Sequence, residues 1–156
     1  MSNPILRMDL GGEDGWDMVL IECFPRLAPN HVAQILDLAN TGQYDGTGFH
    51  RVIPNFMAQG GWTQKQLPQL KAEFSDHPHT EGVCSMARTN DPDSASDQFF
   101  ICFNDCHWLN GQYTVWGKVI YGMEHVHNKI AKGEPPAEKT LIARMRQVDL
   151  ETIGRG

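Results

Sequence analysis

Apolar residues occur along this chain in short runs that are separated by glycine, proline, asparagine and aspartate. Short apolar runs bounded by turn-forming residues are typical of β-strands rather than of long helices. Seven strands are predicted on this basis, at residues 18–24, 49–53, 56–59, 82–87, 98–103, 113–120 and 141–150. Residues 62–80 and 88–97 are polar and weakly patterned, which predicts surface loops. The pattern as a whole indicates a mainly β protein.

Two segments repeat their apolar residues at helical spacing instead. The first segment has its apolar face at Val32, Ile35, Leu36 and Ala39. Pro29 suits the first turn of this helix because its missing N–H is not needed there, and Gly42 can form a left-handed cap. The second segment has its repeat at Met123, Val126, His127 and Ile130, and Gly133 ends it. Many short strands with two helices favour a β-barrel or a sandwich with attached helices.

Length and charge narrow the class of protein. The 156 residues fit one domain, predicted to span residues 1–156, and 40% of them are hydrophobic. The formal net charge of −6 argues against general nucleic-acid binding, which usually requires a basic surface. The sequence has no run of about 18 apolar residues, so no membrane span is expected. Its first residues lack a basic stretch followed by an apolar one, so no secretory signal is predicted.

The four cysteines are interpreted as free thiols, because a domain of this size does not need disulfides and most of them lie in or beside apolar runs. They are Cys23, Cys84, Cys102 and Cys106. A reducing, cytoplasmic location is the corresponding expectation. Two short runs contain metal-ligand types, at residues 102–107 and 77–79, but structural zinc usually shows paired ligands twice over. We therefore expect no metal and no other cofactor.

Residues 49–61 are the most informative stretch, because they combine an arginine with two short strands and a Gly-Gly break. Alternate side chains of a strand share a face, so Arg51 lies with Ile53, and Met57 lies with Gln59. A cation, an amide and large apolar groups can thus converge on a small area. Taken alone, the simpler interpretation is a surface arginine beside ordinary core residues.

The order of motifs along the chain changes that interpretation. Residues 49–61 closely resemble the cyclophilin signature F-H-R-x-I-x-x-F-M-x-Q-G-G. Other blocks match the same family in order, at residues 22–25, 28–29, 44–47, 85–88, 98–101, 108–111 and 115–119. Because the matches run from about residue 16 to residue 132, the chain resembles the cyclophilin-type peptidyl-prolyl cis/trans isomerases, and its pattern is closest to bacterial members.

The resemblance implies a closed eight-stranded antiparallel β-barrel capped by two α-helices, with the active site in a groove on the barrel's outer surface. It implies an enzyme that accelerates rotation about X-Pro bonds in proline-containing polypeptides, without metal or cofactor, and so assists protein folding. A monomer is expected, with cyclosporin as a candidate inhibitor.

The family's functional residues can be carried over one by one. Arg51 is then the catalytic arginine, Gln59 binds the substrate backbone, and Phe56 belongs to the proline pocket beside them. The resemblance implies nine further substrate-binding residues, namely His50, Met57, Ala87, Arg88, Gln98, Phe100, Trp108, Leu109 and Tyr113. Within this set, Trp108 is implied at the rim of the groove.

Three positions depart from the pattern of many members. Asp97 precedes Gln98 where many members have serine, Arg88 stands where many eukaryotic members have asparagine, and Tyr113 replaces a rim histidine. The change at Arg88 adds a charge to the groove but retains the backbone that the family uses to hold the peptide. None of these changes removes the catalytic arginine.

Two other functions stay open from the sequence. A binding module with a cyclophilin fold would hold proline-containing segments without turnover, although the intact Arg51, Phe56, Gln59 and Phe100 favour the enzyme. A metal-dependent hydrolase with a different fold is poorly supported by the weak metal motifs.

Overall fold

A computed structural model describes residues 2–12 and 15–149. Its eight strands are β1 Ile5–Gly12, β2 Gly15–Cys23, β3 Phe49–Ile53, β4 Met57–Gly60, β5 Val83–Met86, β6 Phe99–Cys102, β7 Val115–Tyr121 and β8 Ile142–Val148. Two α-helices, α1 Pro29–Asn40 and α2 Met123–Lys129, complete the regular structure with a single 3₁₀ turn at His107–Leu109. Neither α-helix in the described part of the chain is long and apolar enough to cross a lipid bilayer.

The eight strands form one antiparallel sheet in the order β3-β4-β6-β5-β7-β2-β1-β8. The expectation of a closed barrel was wrong, because this sheet is an open half-barrel with β3 and β8 at its edges. The edges approach each other through turn residues instead: Gly48 makes an isolated bridge to Leu141, and the Gly46 N–H donates to the Ile142 carbonyl at 2.7 Å. These contacts involve only one end of each edge strand, so no continuous ladder joins β3 to β8 in the described residues.

All seven predicted strands and both predicted helices are confirmed, with ends that differ by a few residues. The predicted end of the last strand, Leu150, lies outside the described residues. Strand β1 was not predicted. Its apolar residues Leu6, Met8 and Leu10 alternate with the polar Arg7 and Asp9, a period of two that is typical of strands. Asp9 is also buried, and it accepts a hydrogen bond from Arg7 Nε at 3.0 Å. The prediction missed this strand although the alternation was visible in the sequence.

The main core lies between the inner face of the sheet and the two helices. Helix α1 packs against β8, and α2 packs against β2. At the centre, the Phe99 ring makes edge-to-face contacts with Tyr44, Phe49 and Trp116 at 5.6, 6.3 and 5.7 Å between centroids. Such contacts stabilise a core beyond the area that they bury. The core therefore holds β3, β4 and β6 in a fixed relation, and these are the strands that carry the candidate site.

A smaller apolar cluster lies apart from this core. It consists of Met57, Phe100, Cys102, Cys106 and Leu109, with Ile53, Phe56, Ala87 and Tyr113 packed against it. Since most of these residues were predicted to line a substrate pocket, the cluster marks the place where that pocket should be sought.

Candidate active site

A surface groove with a cavity of about 170 Å³ lies over the small apolar cluster. Nine side chains line it, namely Arg51, Phe56, Met57, Gln59, Ala87, Arg88, Phe100, Leu109 and Tyr113. All nine belong to the twelve residues that the sequence singled out. The structure therefore brings together, in one concave site, residues that are up to 62 positions apart in the sequence.

Strand register explains how the polar and apolar groups meet. Arg51 on β3 pairs with Gln59 on β4, and Gln59 in turn pairs with Phe100 on β6. Directly paired residues of neighbouring strands point to the same face of a sheet. The guanidinium, the amide and the aromatic ring therefore lie side by side across three strands.

The Gly60-Gly61 break that follows Gln59 has a steric cause. A Cβ at Gly60 would lie 2.8 Å from the Phe49 ring, and one at Gly61 would lie 2.7 Å from the Phe99 ring. Gly61 also has a φ of +81°, which disfavours other residues. The glycines thus let the end of β4 approach the core closely, which fixes the position of Gln59.

The floor of the groove is apolar and well packed. Met57, Phe100 and Leu109 are buried, with 2%, 5% and 7% of their surface exposed. The Tyr113 ring meets the Phe100 ring edge to face, with 5.6 Å between centroids. A compact apolar ring such as that of proline can be accommodated here without loss of hydrogen bonds, since proline has no backbone N–H.

Arg51 and Gln59 form the polar side of the groove. The Arg51 side chain is 48% exposed, and its Nε donates to the Glu134 carboxylate at 3.2 Å. The Gln59 amide nitrogen donates to Gln98 Oε1 at 3.0 Å. The Gln59 amide is therefore oriented by a neighbour. Its carbonyl oxygen accepts no hydrogen bond from the described residues and can accept one from a ligand.

Arg88 adopts a conformation that the sequence did not suggest. Its Nε and Nη2 donate to the Gln112 carbonyl at 3.0 and 2.7 Å, and its Nη1 donates to the Thr89 carbonyl at 2.9 Å. The guanidinium carbon lies 4.6 Å from the centroid of the Tyr113 ring, a cation–π distance. The extra charge expected in the groove is thus held against its wall by backbone carbonyls.

The geometry and the motifs can now be compared with known proteins. The family model for the cyclophilin type peptidyl-prolyl cis-trans isomerase matches residues 7–147. The chain belongs to the cyclophilin family. Its members are peptidyl-prolyl cis-trans isomerases, so this chain is assigned that enzymatic activity.

Individual relatives agree with this assignment. A probable peptidyl-prolyl cis-trans isomerase of Brucella abortus is 48% identical over 132 residues, which cover 74% of this chain and 67% of the relative. Peptidyl-prolyl cis-trans isomerase B of Bacillus subtilis is 42% identical and covers 74% of this chain and 85% of its own length. Both relatives are bacterial, in agreement with the sequence pattern.

Solved cyclophilin structures share the fold. The cyclophilin AquaCyp293 of Hirschia baltica superposes with a TM-score of 0.83 at 30% identity, covering 94% of this chain and 74% of its own. A Cryptosporidium parvum cyclophilin, solved in the presence of the dipeptide Ala-Pro, gives a TM-score of 0.82 at 26% identity and covers 93% and 99% of the two chains.

Three of the twelve predicted residues lie outside the cavity that defines the groove. Gln98 lies in an adjoining depression that shares Gln59, Ala87 and Arg88 with it. Trp108 is at the rim, with 61% of its surface exposed and its ring 5.7 Å from that of Phe56.

His50 is the third residue outside the cavity. It lies at the irregularity in the β3–β4 pairing, and its ring packs 6.0 Å from that of Trp62. Burial is the main reason why the pKa of His50 is lowered. The structure does not bring the His50 side chain into the groove.

Two residues near the site were missed by sequence reasoning. One is Glu134, the partner of Arg51, which is 83 positions away in the sequence. The other is His79, which is fully buried and stacks on the Phe100 ring with 6.2 Å between centroids. Neither lies in a motif of the family that the sequence displayed, so only the fold could reveal them.

His79 supports the floor of the groove from below. Its ring nitrogens lie 3.1 Å from Asn110 Oδ1 and 3.0 Å from Ser85 Oγ. Burial lowers the pKa of His79, against the opposing effect of the hydrogen bond to Asn110. The neutral imidazole is therefore favoured, and it links the 3₁₀ turn region to β5.

The two runs with metal-ligand types have other roles in the structure. Cys102 and Cys106 are buried and form no disulfide, and burial raises the pKa of both thiols. Among residues 2–12 and 15–149, no group of three or more His, Cys, Asp or Glu side chains is close enough to hold a metal ion.

Proposed function

We propose that the groove binds an X-Pro segment of a protein substrate and accelerates rotation about its peptide bond, with Arg51 as the group that stabilises the twisted state. The observation that carries this proposal is the row formed by Arg51, Gln59 and Phe100 across three paired strands. It combines a donor, an amide and an apolar ring at neighbouring positions of one face of the sheet.

The chemistry of the reaction explains why these groups are sufficient. Rotation about an X-Pro bond has a barrier of about 18–20 kcal/mol, because amide resonance is lost as the bond twists. No covalent bond is broken, so the reaction needs no nucleophile and no proton transfer. At the twisted state the prolyl nitrogen becomes pyramidal and regains a lone pair, which a suitably placed donor can bind.

Arg51 is the donor that fits this role. A hydrogen bond from a guanidinium to that nitrogen forms in the twisted state and not in the planar ground state, which is the condition for catalysis. Hydrogen bonds to charged groups contribute about 1.5–3 kcal/mol, or roughly one to two powers of ten in rate. A substrate packed over the buried Phe100 and Leu109 would exclude water from this hydrogen bond and so strengthen it.

The remaining groups hold the substrate. The apolar floor of Met57, Phe100 and Leu109 fixes the proline ring while the preceding carbonyl rotates. Gln59, oriented by its hydrogen bond to Gln98, is proposed to bind the substrate backbone. The Cryptosporidium parvum relative that was solved in the presence of Ala-Pro supports a proline-containing ligand for this fold.

Cyclosporin is proposed as an inhibitor of the same groove. The support is Trp108, an exposed aromatic residue beside Phe56 whose indole N–H can donate to a ligand at the rim. A monomer in the cytoplasm is also proposed. Four buried, unpaired thiols support a reducing compartment, and burial raises the pKa of Cys23 to about 12, which keeps that thiol inert.

A protease-coupled assay tests the proposed function. The purified protein should accelerate isomerisation of a short X-Pro peptide, in buffer with and without a chelator. Binding of the peptide without acceleration would instead identify a binding module. Activity that disappears with the chelator and returns with zinc would contradict the proposed mechanism.

A further inference from the structure

We propose that Glu134 is a positioning residue that aims the Arg51 guanidinium into the groove. The inference rests on the proposed function of Arg51. It assigns a role in catalysis to the loop that follows α2. None of the twelve predicted site residues lies in that loop.

The contact itself suggests the role. Arg51 Nε donates to Glu134 Oε1 at 3.2 Å. This is the only hydrogen bond that the described residues make with the Arg51 guanidinium. The guanidinium is planar and rigid, so holding it by Nε restricts its orientation and leaves both Nη groups for a ligand.

The Glu134 carboxylate is presented by a backbone that is tied to β3. Val52 and Gly133 exchange two hydrogen bonds, N–H to carbonyl in each direction, both of 2.8 Å. Val52 and Gly133 are the immediate neighbours of Arg51 and Glu134. The ion pair is therefore built onto a fixed pair of backbone positions rather than between two free loops.

Further contacts within the loop after α2 hold the backbone around Glu134 in place. Gly133 has a φ of +141°, and a Cβ there would lie 2.7 Å from the Pro136 Cα, so the backbone packs closely on itself. At the base of the loop, the Ala131 N–H donates to the Thr140 hydroxyl, which in turn donates to the Lys129 carbonyl, each at 3.0 Å. Because these contacts already order the loop that carries Glu134, less conformational entropy is lost when the exposed ion pair forms.

Exposure indicates that the pair acts on positioning more than on folding. The Arg51 and Glu134 side chains are 48% and 56% exposed. Exposed ion pairs contribute little to folding stability because water screens them and the side chains lose entropy. Removal of Glu134 should thus leave the fold intact while allowing the Arg51 guanidinium to sample unproductive orientations.

The test compares Glu134→Ala, Glu134→Gln and the control Glu138→Ala in an X-Pro peptide assay, each with a melting curve. Glu138 is an exposed acidic residue of the same loop, so its removal changes the charge equally. Glu134→Ala should lower kcat/KM roughly three- to tenfold, mainly through kcat, because misorientation of a catalytic group affects the transition state. Glu134→Gln keeps an acceptor oxygen and should restore at least about half of the wild-type kcat/KM.

A double-mutant cycle with Arg51→Ala separates positioning from other effects. If Glu134 acts through Arg51, Glu134→Ala should cause no additional loss in the Arg51→Ala background. Wild-type kcat/KM in Glu134→Ala, an equal loss in Glu138→Ala, or an undiminished loss in the double variant would overturn the proposal. A Gln variant as impaired as the Ala variant would also overturn it.

The same data distinguish this inference from the proposed function. An inactive wild-type protein, or a fully active Arg51→Ala variant, would contradict the proposed function. An impaired Arg51→Ala variant together with an unaffected Glu134→Ala variant would contradict only the role of Glu134.

Discussion

Individual side chains in the groove depend on the register of β3 and β4, which places Arg51 directly opposite Gln59. Arg51 reaches the groove from an exposed position, with Glu134 on one side and the apolar floor on the other. The residue can therefore be changed without removing any part of the core.

Replacing Arg51 is the most direct test of this arrangement. Arg51→Ala should lower kcat/KM at least about tenfold, because a charged hydrogen bond of about 1.5–3 kcal/mol is lost at the twisted state. Arg51→Lys should also be impaired, since an ammonium group doesn't reproduce the guanidinium fork. Arg26→Ala, at an exposed arginine outside the groove, is the matched control. Near wild-type turnover of Arg51→Ala, with an unchanged circular dichroism spectrum, would refute the mechanism.

A second prediction concerns Trp108 at the rim of the groove. If cyclosporin binds here, Trp108→Phe removes one hydrogen bond of about 0.5–1.5 kcal/mol together with some buried area, so inhibition should weaken roughly three- to thirtyfold. Because the side chain is 61% exposed, the melting temperature should hardly change. Inhibition constants and melting curves are measured for both proteins, with Trp62→Phe at another exposed tryptophan as the control. Equal inhibition of wild type and Trp108→Phe would end this idea.

The limits of sequence reasoning at this scale follow from distance along the chain. Arg51, Phe56, Met57 and Gln59 lie in one motif, so their convergence could be predicted from strand alternation and the family resemblance. Glu134 could not be predicted, because a single acidic residue 83 positions from its partner has no local signal. The position of His50 outside the cavity could not be predicted either, since a motif identifies neighbours in sequence but not the irregularity of the strand at that residue.

Contacts between secondary-structure elements hold the two edges of the half-barrel near each other. Arg146 on β8 donates to both oxygens of Asp45, through Nη1 at 2.8 Å and Nη2 at 2.9 Å. The Met145 N–H donates to the same carboxylate at 3.1 Å. Asp45 lies in the turn before β3, so this pair joins the segment that leads into one edge strand to the other edge strand. Burial alone would raise the pKa of Asp45, but the hydrogen bonds from Arg146 and Met145 outweigh it and lower the pKa.

Removal of this pair should destabilise the fold. Arg146→Ala is expected to lower the free energy of unfolding by about 1–3 kcal/mol, because it leaves a partly buried carboxylate without its charged donor. Arg144→Ala, at an exposed arginine on the same strand, should have a much smaller effect. Urea denaturation of the three proteins measures the difference. Equal stability of the two variants would show that the ion pair does not hold the edges together.

Loops show why some elements could be predicted only in part. Residues 62–80 were correctly predicted as a loop outside the regular sheet, but their attachment was not foreseen. Glu73 in this loop accepts hydrogen bonds from the backbone N–H groups of Asn30 and His31 at the start of α1, and it contacts the His31 ring at 2.5 Å. A carboxylate there stabilises the helix N-terminus. No neighbouring side chain caps this helix. The sequence around its first residues therefore gave no indication that Glu73, far away in the chain, would cap it.

The molecule as a whole is one sheet wrapped around a core, and its topology explains which expectations failed. Alternation identifies strands, but closure depends on whether the two edge strands of the sheet, here β3 and β8, pair with each other, which single strands do not encode. Here β3 has five residues, and the approach of its edge to β8 is made by Gly46 and Gly48 in the preceding turn. The resemblance was therefore sufficient for the family and the strand number, while the open half-barrel required the structure.

Stability of the whole molecule should depend on pH through its two histidines with lowered pKa values. Burial is the largest cause for both His50 and His79, and their ordinary pKa is 6.5. Below about pH 6.5 the unfolded chain binds protons that the folded protein binds less readily. Protonation then favours the unfolded state. The stabilisation that comes from the two lowered pKa values is therefore complete above this pH, and it is lost as the pH falls toward the pKa values of the folded state.

The expected result is a free energy of unfolding that is nearly constant from pH 8 to 7 and decreases from pH 6.5 to 5.5. Each histidine contributes at most one proton, which corresponds to a slope of about 1.4 kcal/mol per pH unit. The lowered pKa of Asp45 acts in a separate range, since its ordinary value is 3.8 and its contribution is lost only below that pH. Urea denaturation at each pH measures the profile.

The variant His79→Gln removes one of the two titrating histidines and should flatten the slope. Val126→Ala is the control, because it lowers the stability of the core without changing a titratable group. It should shift the whole profile to lower stability and keep its slope. A profile that stays flat through pH 5.5, or a slope that His79→Gln leaves unchanged, would show that His79 is not the group that titrates.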